Sequence, residues 1–83
     1  MKIIGLDKLS CLKGEIVEKW LFSWIAEIKD AHWKFANDVI KQFPKVRAND
    51  DRCFEFSVST TQWVICIQVA FLQGIAIIKE VKG

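Results

Sequence analysis

The hydrophobic pattern of this chain changes from a helical period to a strand period near its middle. Between Glu15 and Asp30 the apolar residues fall on one stripe that only a 3.6-residue period produces. The stripe consists of Ile16, Val17, Trp20, Leu21, Trp24, Ile25 and Ile28. The pattern predicts an amphipathic helix over residues 15–30, preceded by Gly14. Because its apolar side needs a cover, we expect Trp20 and Trp24 to be buried between this helix and a sheet.

Two shorter helical segments are predicted on either side of this helix. The first covers about Asp7 to Leu12, and the second covers about Phe35 to Phe43. Pro44 closes the second segment, because its ring disfavours helical geometry at the preceding residue.

From Lys45 onward the period is two, which is typical of strands. Phe54, Phe56 and Val58 share one face of the first predicted strand, and residues 59–62 form a turn. The next strand covers residues 63–71 and is apolar on both faces, which predicts a central position in the sheet. A turn at 72–74 leads into a last strand over residues 75–81. These elements predict a single α+β domain over residues 1–83, with N-terminal helices packed on a small, mainly antiparallel β-meander.

The composition suggests that this domain has a partner. Of 83 residues, 52% are hydrophobic, and the mean hydropathy of +0.20 is high for so small a domain. We therefore expect a partner protein or a second copy of the chain to cover apolar surface, including a free edge of the last strand. The net charge of +2 does not by itself indicate nucleic-acid binding.

The basic residues near the predicted strands are the first candidate site. Lys45, Arg47, Arg52, Lys79 and Lys82 lie close to strand ends. If the meander gathers them at one end or edge of the sheet, they form a phosphate-binding patch. The alternative is that they serve solubility and protect the sheet edges.

Other chemistry in the sequence is sparse. His32 is the single histidine, and it is expected at a helix end facing solvent rather than as a catalytic group. Asp50 and Asp51 are expected to form a charged loop before a strand. The three cysteines, Cys11, Cys53 and Cys66, have no C-x-x-C spacing and are predicted to be reduced and buried. No metal site and no cofactor are predicted.

A cytoplasmic location is expected from the same features. Asp7 and Lys8 interrupt the N-terminal apolar run, so no signal peptide is predicted. The 23 residues between Glu55 and Lys79 carry no charge, but polar residues and turns interrupt them, so strands are predicted there and no membrane span.

A wider pattern of residues resembles the HigB toxins of the RelE/ParE superfamily, which belong to bacterial type II toxin-antitoxin systems. The resemblance rests on Trp24, the run 28–34 (I-K-D-A-H-W-K), the segments 37–39 (N-D-V) and 42–43 (Q-F), the run 49–52 (N-D-D-R) and Phe56. It also implies a short first strand at 2–4. It implies a compact α+β toxin that cleaves mRNA, often on the ribosome, and that a helical antitoxin silences. Arg47, Arg52, Lys79 and Lys82 are then the candidate RNA-binding residues.

The chain departs from this family where catalysis is concerned. Trp63, Val64 and Gln68 stand where the family has an aromatic-Arg pair and a further basic residue. The family's closing G-T-H-x-x-Y-D segment is expected to begin where the chain ends, at Lys82 and Gly83. The catalytic acid and base are therefore unidentified, and we expect little or no RNA cleavage.

Two functions remain open from the sequence. The first is an RNA endonuclease toxin of HigB type in a truncated or degenerate form. The second is a non-catalytic interaction module. Such a module keeps the toxin fold and binds an antitoxin-like partner, with a second copy of the chain as the alternative partner.

Overall fold

The computed structural model describes all residues from Met1 to Gly83 and shows helices packed on one side of a five-stranded sheet. In chain order the elements are β1 (Lys2–Ile4), a 3-10 helix (Leu6–Cys11), α1 (Glu15–Asp30), α2 (Ala36–Gln42), β2 (Arg47–Ala48), β3 (Cys53–Ser57), β4 (Val64–Ala70) and β5 (Ile75–Lys82). The predicted α+β class is confirmed.

The strongly periodic segments have the predicted structure. The predicted bounds of α1 match those observed, and α2 lies inside its predicted range. The carboxylate of Asp38 stabilises the N-terminal end of α2. It accepts hydrogen bonds from the backbone N–H groups of Lys34 and Phe35, at 2.8 and 3.3 Å. The first short segment is a 3-10 helix rather than an α-helix, and β2 was not predicted because two residues are too few to show a period.

The sheet is mixed, with strand order β1-β5-β4-β3-β2. β3, β4 and β5 form the predicted antiparallel meander with β4 central. The unpredicted β2 pairs antiparallel with β3, whereas β1 pairs with β5 in parallel. The last strand is therefore not a free edge along its whole length: β1 covers Ile75–Ile77, and the Lys8 ammonium donates to the Lys79 carbonyl oxygen at 3.1 Å. The expectation of an open edge along β5 was wrong for this half of the strand.

The core lies between the helices and one face of the sheet. It contains 17 buried residues, all of them apolar. Trp24 is only 2% exposed and packs edge-on against Phe56, with ring centroids 5.4 Å apart. Trp20 stacks on Trp24 at 5.8 Å but remains half-buried, so the prediction of a buried Trp20 was wrong. Ile16 is 73% exposed, whereas the adjacent Val17 in the same turn of α1 is buried.

Gly5 connects β1 to the 3-10 helix in a conformation that few residues adopt. Its φ is +93°, and a Cβ atom there would lie 2.9 Å from the carbonyl oxygen of Ile78. A side chain would therefore disturb both the turn and the adjacent part of β5. Glycine at this position allows the parallel strand to lie close to the meander.

The long uncharged segment of the sequence is distributed over strands and turns. It contains the end of β3, all of β4 and the start of β5. None of the helices is both long enough and apolar enough to cross a membrane.

Candidate nucleic-acid interface

The side of the sheet that faces away from the helices has no covering layer. We call this side the open face. Register and burial assign to it Lys2, Ile4, Arg47, Cys53, Glu55, Ser57, Val64, Cys66, Gln68, Ala70, Ile75, Ile77, Lys79, Glu80 and Lys82. None of these residues belongs to the buried core. The second apolar face predicted for the central strand is therefore only half-buried, while its other face carries Ile65, Ile67 and Val69 into the core.

One corner of the open face is charged. Arg47 stands directly opposite Glu55, and the Lys82 ammonium lies 3.6 Å from a carboxylate oxygen of Glu55 and 3.6 Å from one of Glu80. Lys79 lies beside Glu80 on the same strand. We call Arg47, Glu55, Lys79, Glu80 and Lys82 the charged corner.

A β-bulge in β5 assembles this corner. Ile78 pairs with Ile67 and Glu80 pairs with Cys66, which leaves Lys79 as the extra residue. In a regular strand, residues 79 and 82 point to opposite faces, because side chains alternate. The extra residue shifts the alternation by one position and brings Glu80 and Lys82 to the open face together with Lys79.

The charges in this corner stabilise one another. The side-chain amide of Asn49 donates to Glu55 Oε2 at 2.9 Å, and with the nearby Lys82 ammonium it holds the pKa of Glu55 below its ordinary value. The Cys66 thiolate, when it forms, and the carboxylates of Glu55 and Glu80 raise the pKa of Lys82. Glu55 is therefore ionised and Lys82 protonated at neutral pH.

Two cysteines lie on the open face and one lies in the helical layer. All three are free thiols, as predicted, but none is buried: Cys11 is exposed, and Cys53 and Cys66 are half-buried. The prediction of buried cysteines was wrong, because nothing covers Cys53 and Cys66 on the open face and Cys11 is exposed at the end of the 3-10 helix. Partial burial raises the pKa of both Cys53 and Cys66, so these groups remain thiols at neutral pH.

The other basic candidates lie apart from the charged corner. Arg52 lines a pocket of about 480 Å³ at the opposite end of β4, which we call the end pocket. Lys45 lines a different pocket, on the helical side, with Trp20 and Phe43. The structure thus places Arg47 and Lys82 beside Glu55, with Lys79 on the same face, and it leaves Arg52 and Lys45 at two separate places.

The polar candidates from the loops have the expected surroundings. His32 is exposed after the end of α1 and makes no side-chain hydrogen bond. Asp50 accepts hydrogen bonds from the backbone N–H groups of Arg52 and Cys53, at 2.7 and 2.8 Å, which hold the pKa of its carboxyl below the ordinary value. Asp50 thus shapes the loop before β3, whereas Asp51 lines the end pocket. No group of three or more His, Cys, Asp or Glu residues is placed to hold a metal ion.

Part of this arrangement has no clear signal in the sequence. Side chains alternate along β3, so Glu55 points away from the side of the sheet that carries Phe54 and Phe56. The two-residue period of the sequence therefore predicts the position of Glu55 on the open face. The pairing of Lys82 with Glu55 and Glu80 requires the bulge, which the sequence does not mark. The end pocket joins three distant segments, which no local pattern indicates.

Comparison of the chain with models of known protein families gives no match, and comparison with curated proteins gives none either.

Proposed function

We propose that this chain is a HigB-type toxin domain that binds single-stranded RNA on its open face and cleaves it slowly or not at all. The proposal combines the sequence resemblance with one structural observation. Arg47 and Lys82 both lie beside Glu55 on a sheet face that no helix covers, and Lys79 lies on the same face. The expected RNA partner is an mRNA, alone or on the ribosome.

Phosphate binding is the chemistry that this corner supports best. Lysine and arginine side chains on an uncovered sheet can follow an RNA backbone and neutralise its phosphates. Glu55 and Glu80 compete for Lys82, which is 53% exposed and so remains accessible to a phosphate. Binding should therefore be moderate and should weaken as salt is added.

The groups beside these cations are poorly suited to proton transfer. RNA cleavage through the 2′-hydroxyl needs a base and an acid, and these groups together contribute about 10²–10⁴-fold in rate. The lowered pKa of Glu55 makes it a weak base, and Cys66 stays protonated at neutral pH. The chain has no tyrosine. These properties support binding without efficient cleavage.

Binding is tested by titrating a fluorescently labelled ten-nucleotide RNA and following its anisotropy at several salt concentrations. The double variant Arg47→Ala/Lys82→Ala should lose about one order of magnitude in affinity or more. Its plot of log affinity against log salt should be less steep, by about 0.7 for each phosphate contact removed.

The matched control is Lys29→Ala/Lys41→Ala, which removes the same charge from α1 and α2 on the other side of the molecule. It should leave the affinity and the salt dependence close to those of the wild type. Equal losses in the two double variants would mean that RNA binds through net charge alone, which would contradict an RNA site on the open face.

Cleavage is tested by expressing the chain without an antitoxin and mapping the 5′ ends of cellular mRNA. We expect no toxin-like fragments. Growth arrest with mRNA cleavage that disappears in His32→Ala or Arg52→Ala would show an active enzyme with a site elsewhere.

A second function, that of a non-catalytic module for an antitoxin-like partner, has a separate observation in its favour. A groove of about 630 Å³ runs between the 3-10 helix and α1, with Leu9, Leu12 and Leu21 in its lining. Phe22 lies on this groove and is 78% exposed, which is unusual for so large an apolar side chain. An amphipathic helix of an antitoxin would cover both.

This second function is tested by the effect of Phe22→Asp on complex formation with the product of the neighbouring gene. Loss of the complex, with RNA binding unchanged, would favour the interaction module. Light scattering of the isolated chain at high micromolar concentration would show whether a second copy occupies the groove instead.

A further inference from the structure

The end pocket is built from three segments that are far apart in sequence. Lys34 and Phe35 come from the α1–α2 connection, and Ala36 is the first residue of α2. Asp51 and Arg52 come from the loop before β3, and residues 68–73 come from the end of β4 and the following turn. Its volume of about 480 Å³ lies within the range of small-molecule sites in proteins.

Hydrogen bonds to the backbone hold the segments that line this pocket in place. The backbone N–H of Val69 donates to the carbonyl oxygen of Arg52 at 2.8 Å, which joins the loop to the end of β4. Asp50 accepts from two backbone N–H groups in the same loop, and Asp38 fixes the backbone at Lys34 and Phe35. The pocket is therefore formed before any ligand arrives, which lowers the entropic cost of binding.

The lining combines two cations, the Asp51 carboxylate, two amides and an exposed aromatic ring. Lys34 and Arg52 lie on different segments, and Gln68 and Gln73 contribute side-chain amides. The ring of Phe35 is 63% exposed although it belongs to a large apolar residue. Proteins that bind single-stranded RNA use these groups together: aromatic rings stack on bases, amides contact base edges, and cations hold phosphates.

The pocket is continuous with the open face. Gln68 lines the pocket and also stands between Cys53 and Ile77 on the open face. Val64, which pairs with Lys82, is four residues from Gln68 along β4, a separation of about 13 Å in an extended strand. This distance exceeds the size of a single phosphate group, so the charged corner and the end pocket would contact different nucleotides of one RNA strand.

We propose that the end pocket binds one nucleotide of a single-stranded RNA, with its base stacked on Phe35, its phosphate held by Lys34 and Arg52, and its base edge contacted by Gln68 and Gln73. The inference rests on the proposed RNA-binding function and adds a base-contacting subsite to it. Phosphate contacts in the charged corner do not depend on base identity, whereas contacts in the end pocket do.

The test compares Phe35→Ala with Phe22→Ala, because both residues are highly exposed phenylalanines and only Phe35 lines the end pocket. The probe is a ten-nucleotide RNA that contains 2-aminopurine, whose fluorescence falls when it stacks. Phe35→Ala should weaken binding about 5- to 150-fold, as expected for the loss of one stacked base. It should also abolish the fluorescence change, and Phe35→Trp should restore both.

The salt dependence separates stacking from phosphate binding. Phe35→Ala should leave the slope of log affinity against log salt unchanged, because a ring releases no counterions, whereas Arg52→Ala should reduce it by about 0.7. Circular dichroism checks the fold, and Phe35→Leu serves as a second variant that keeps apolar surface without a ring.

The outcomes distinguish this inference from the proposed function. If Phe35→Ala and Phe22→Ala bind RNA equally well while Arg47→Ala/Lys82→Ala binds weakly, the nucleotide pocket is refuted and RNA binding on the open face stands. If the wild-type chain does not bind the RNA at all, both are refuted.

Discussion

The two faces of the sheet have opposite characters although the same strands form them. The face toward the helices contributes Phe54, Ile65, Ile67 and Ile78 to a core without a single polar residue. The open face carries an ion-paired corner, two half-buried thiols and no fully buried side chain. Folding stability therefore comes mainly from one face, which leaves the other free to vary for binding.

The largest expected effect on stability comes from substituting the tryptophans of α1. Trp24→Ala should cost about 3–5 kcal/mol in the free energy of unfolding, because the indole is buried against the covered face. Trp20→Ala should cost clearly less, since Trp20 is half-buried. Urea unfolding followed by circular dichroism measures both values.

A gentler variant refines this result. The indole N–H of Trp24 is buried without a hydrogen-bond partner, so Trp24→Phe removes an unsatisfied donor together with part of the ring. It should be less destabilising than Trp24→Ala. Equal costs for Trp20→Ala and Trp24→Ala would contradict the assignment of the core side of α1.

Substitution of two neighbouring isoleucines on β5 compares how much each face of the sheet contributes to stability. Ile78 is 1% exposed on the covered face, whereas Ile77 is half-buried on the open face. Ile78→Ala should cost about 2–5 kcal/mol, and Ile77→Ala about 1 kcal/mol or less. The measurement is again urea unfolding, and Ile77→Ala is the matched control. A large cost for Ile77→Ala would indicate that a second copy of the chain or another partner covers the open face.

The smallest expected effect is the pH dependence that Glu55 produces. Its folded-state pKa lies below the ordinary value of 4.5, so its contribution to stability is fully present above that pH. The contribution is lost as the pH falls through the lowered pKa. Glu55→Gln should therefore be less stable than the wild type at pH 7, and this difference should shrink toward pH 3.

Asn49→Ala removes the hydrogen bond from Asn49, which is the largest cause of the lowered pKa of Glu55. In this background the stability difference between Glu55 and Glu55→Gln at pH 7 should be smaller. Thermal unfolding at several pH values measures the effect. If the wild type and Glu55→Gln differ equally at pH 7 and at pH 3, the ionised form of Glu55 does not stabilise the fold.

The sequence by itself determined the elements whose periods extend over many residues. Seven apolar positions between Glu15 and Asp30 fixed α1, and alternation fixed β3, β4 and most of β5. These patterns are local, since a side chain's direction in a helix or strand depends only on its place in the period. The same reasoning placed Glu55 on the side of the sheet away from Phe54.

Only the tertiary structure decided which polar residues meet. The bulge at Lys79 reversed the direction of Glu80 and Lys82, and the parallel pairing of β1 protected part of β5. The half-burial of Trp20, Cys53 and Cys66 depended on which surfaces the helices and the sheet cover. The end pocket brought Lys34 and Arg52 together from segments that are distant in sequence. Register and layer packing arise from contacts between distant residues, and local periodicity carries no information about such contacts.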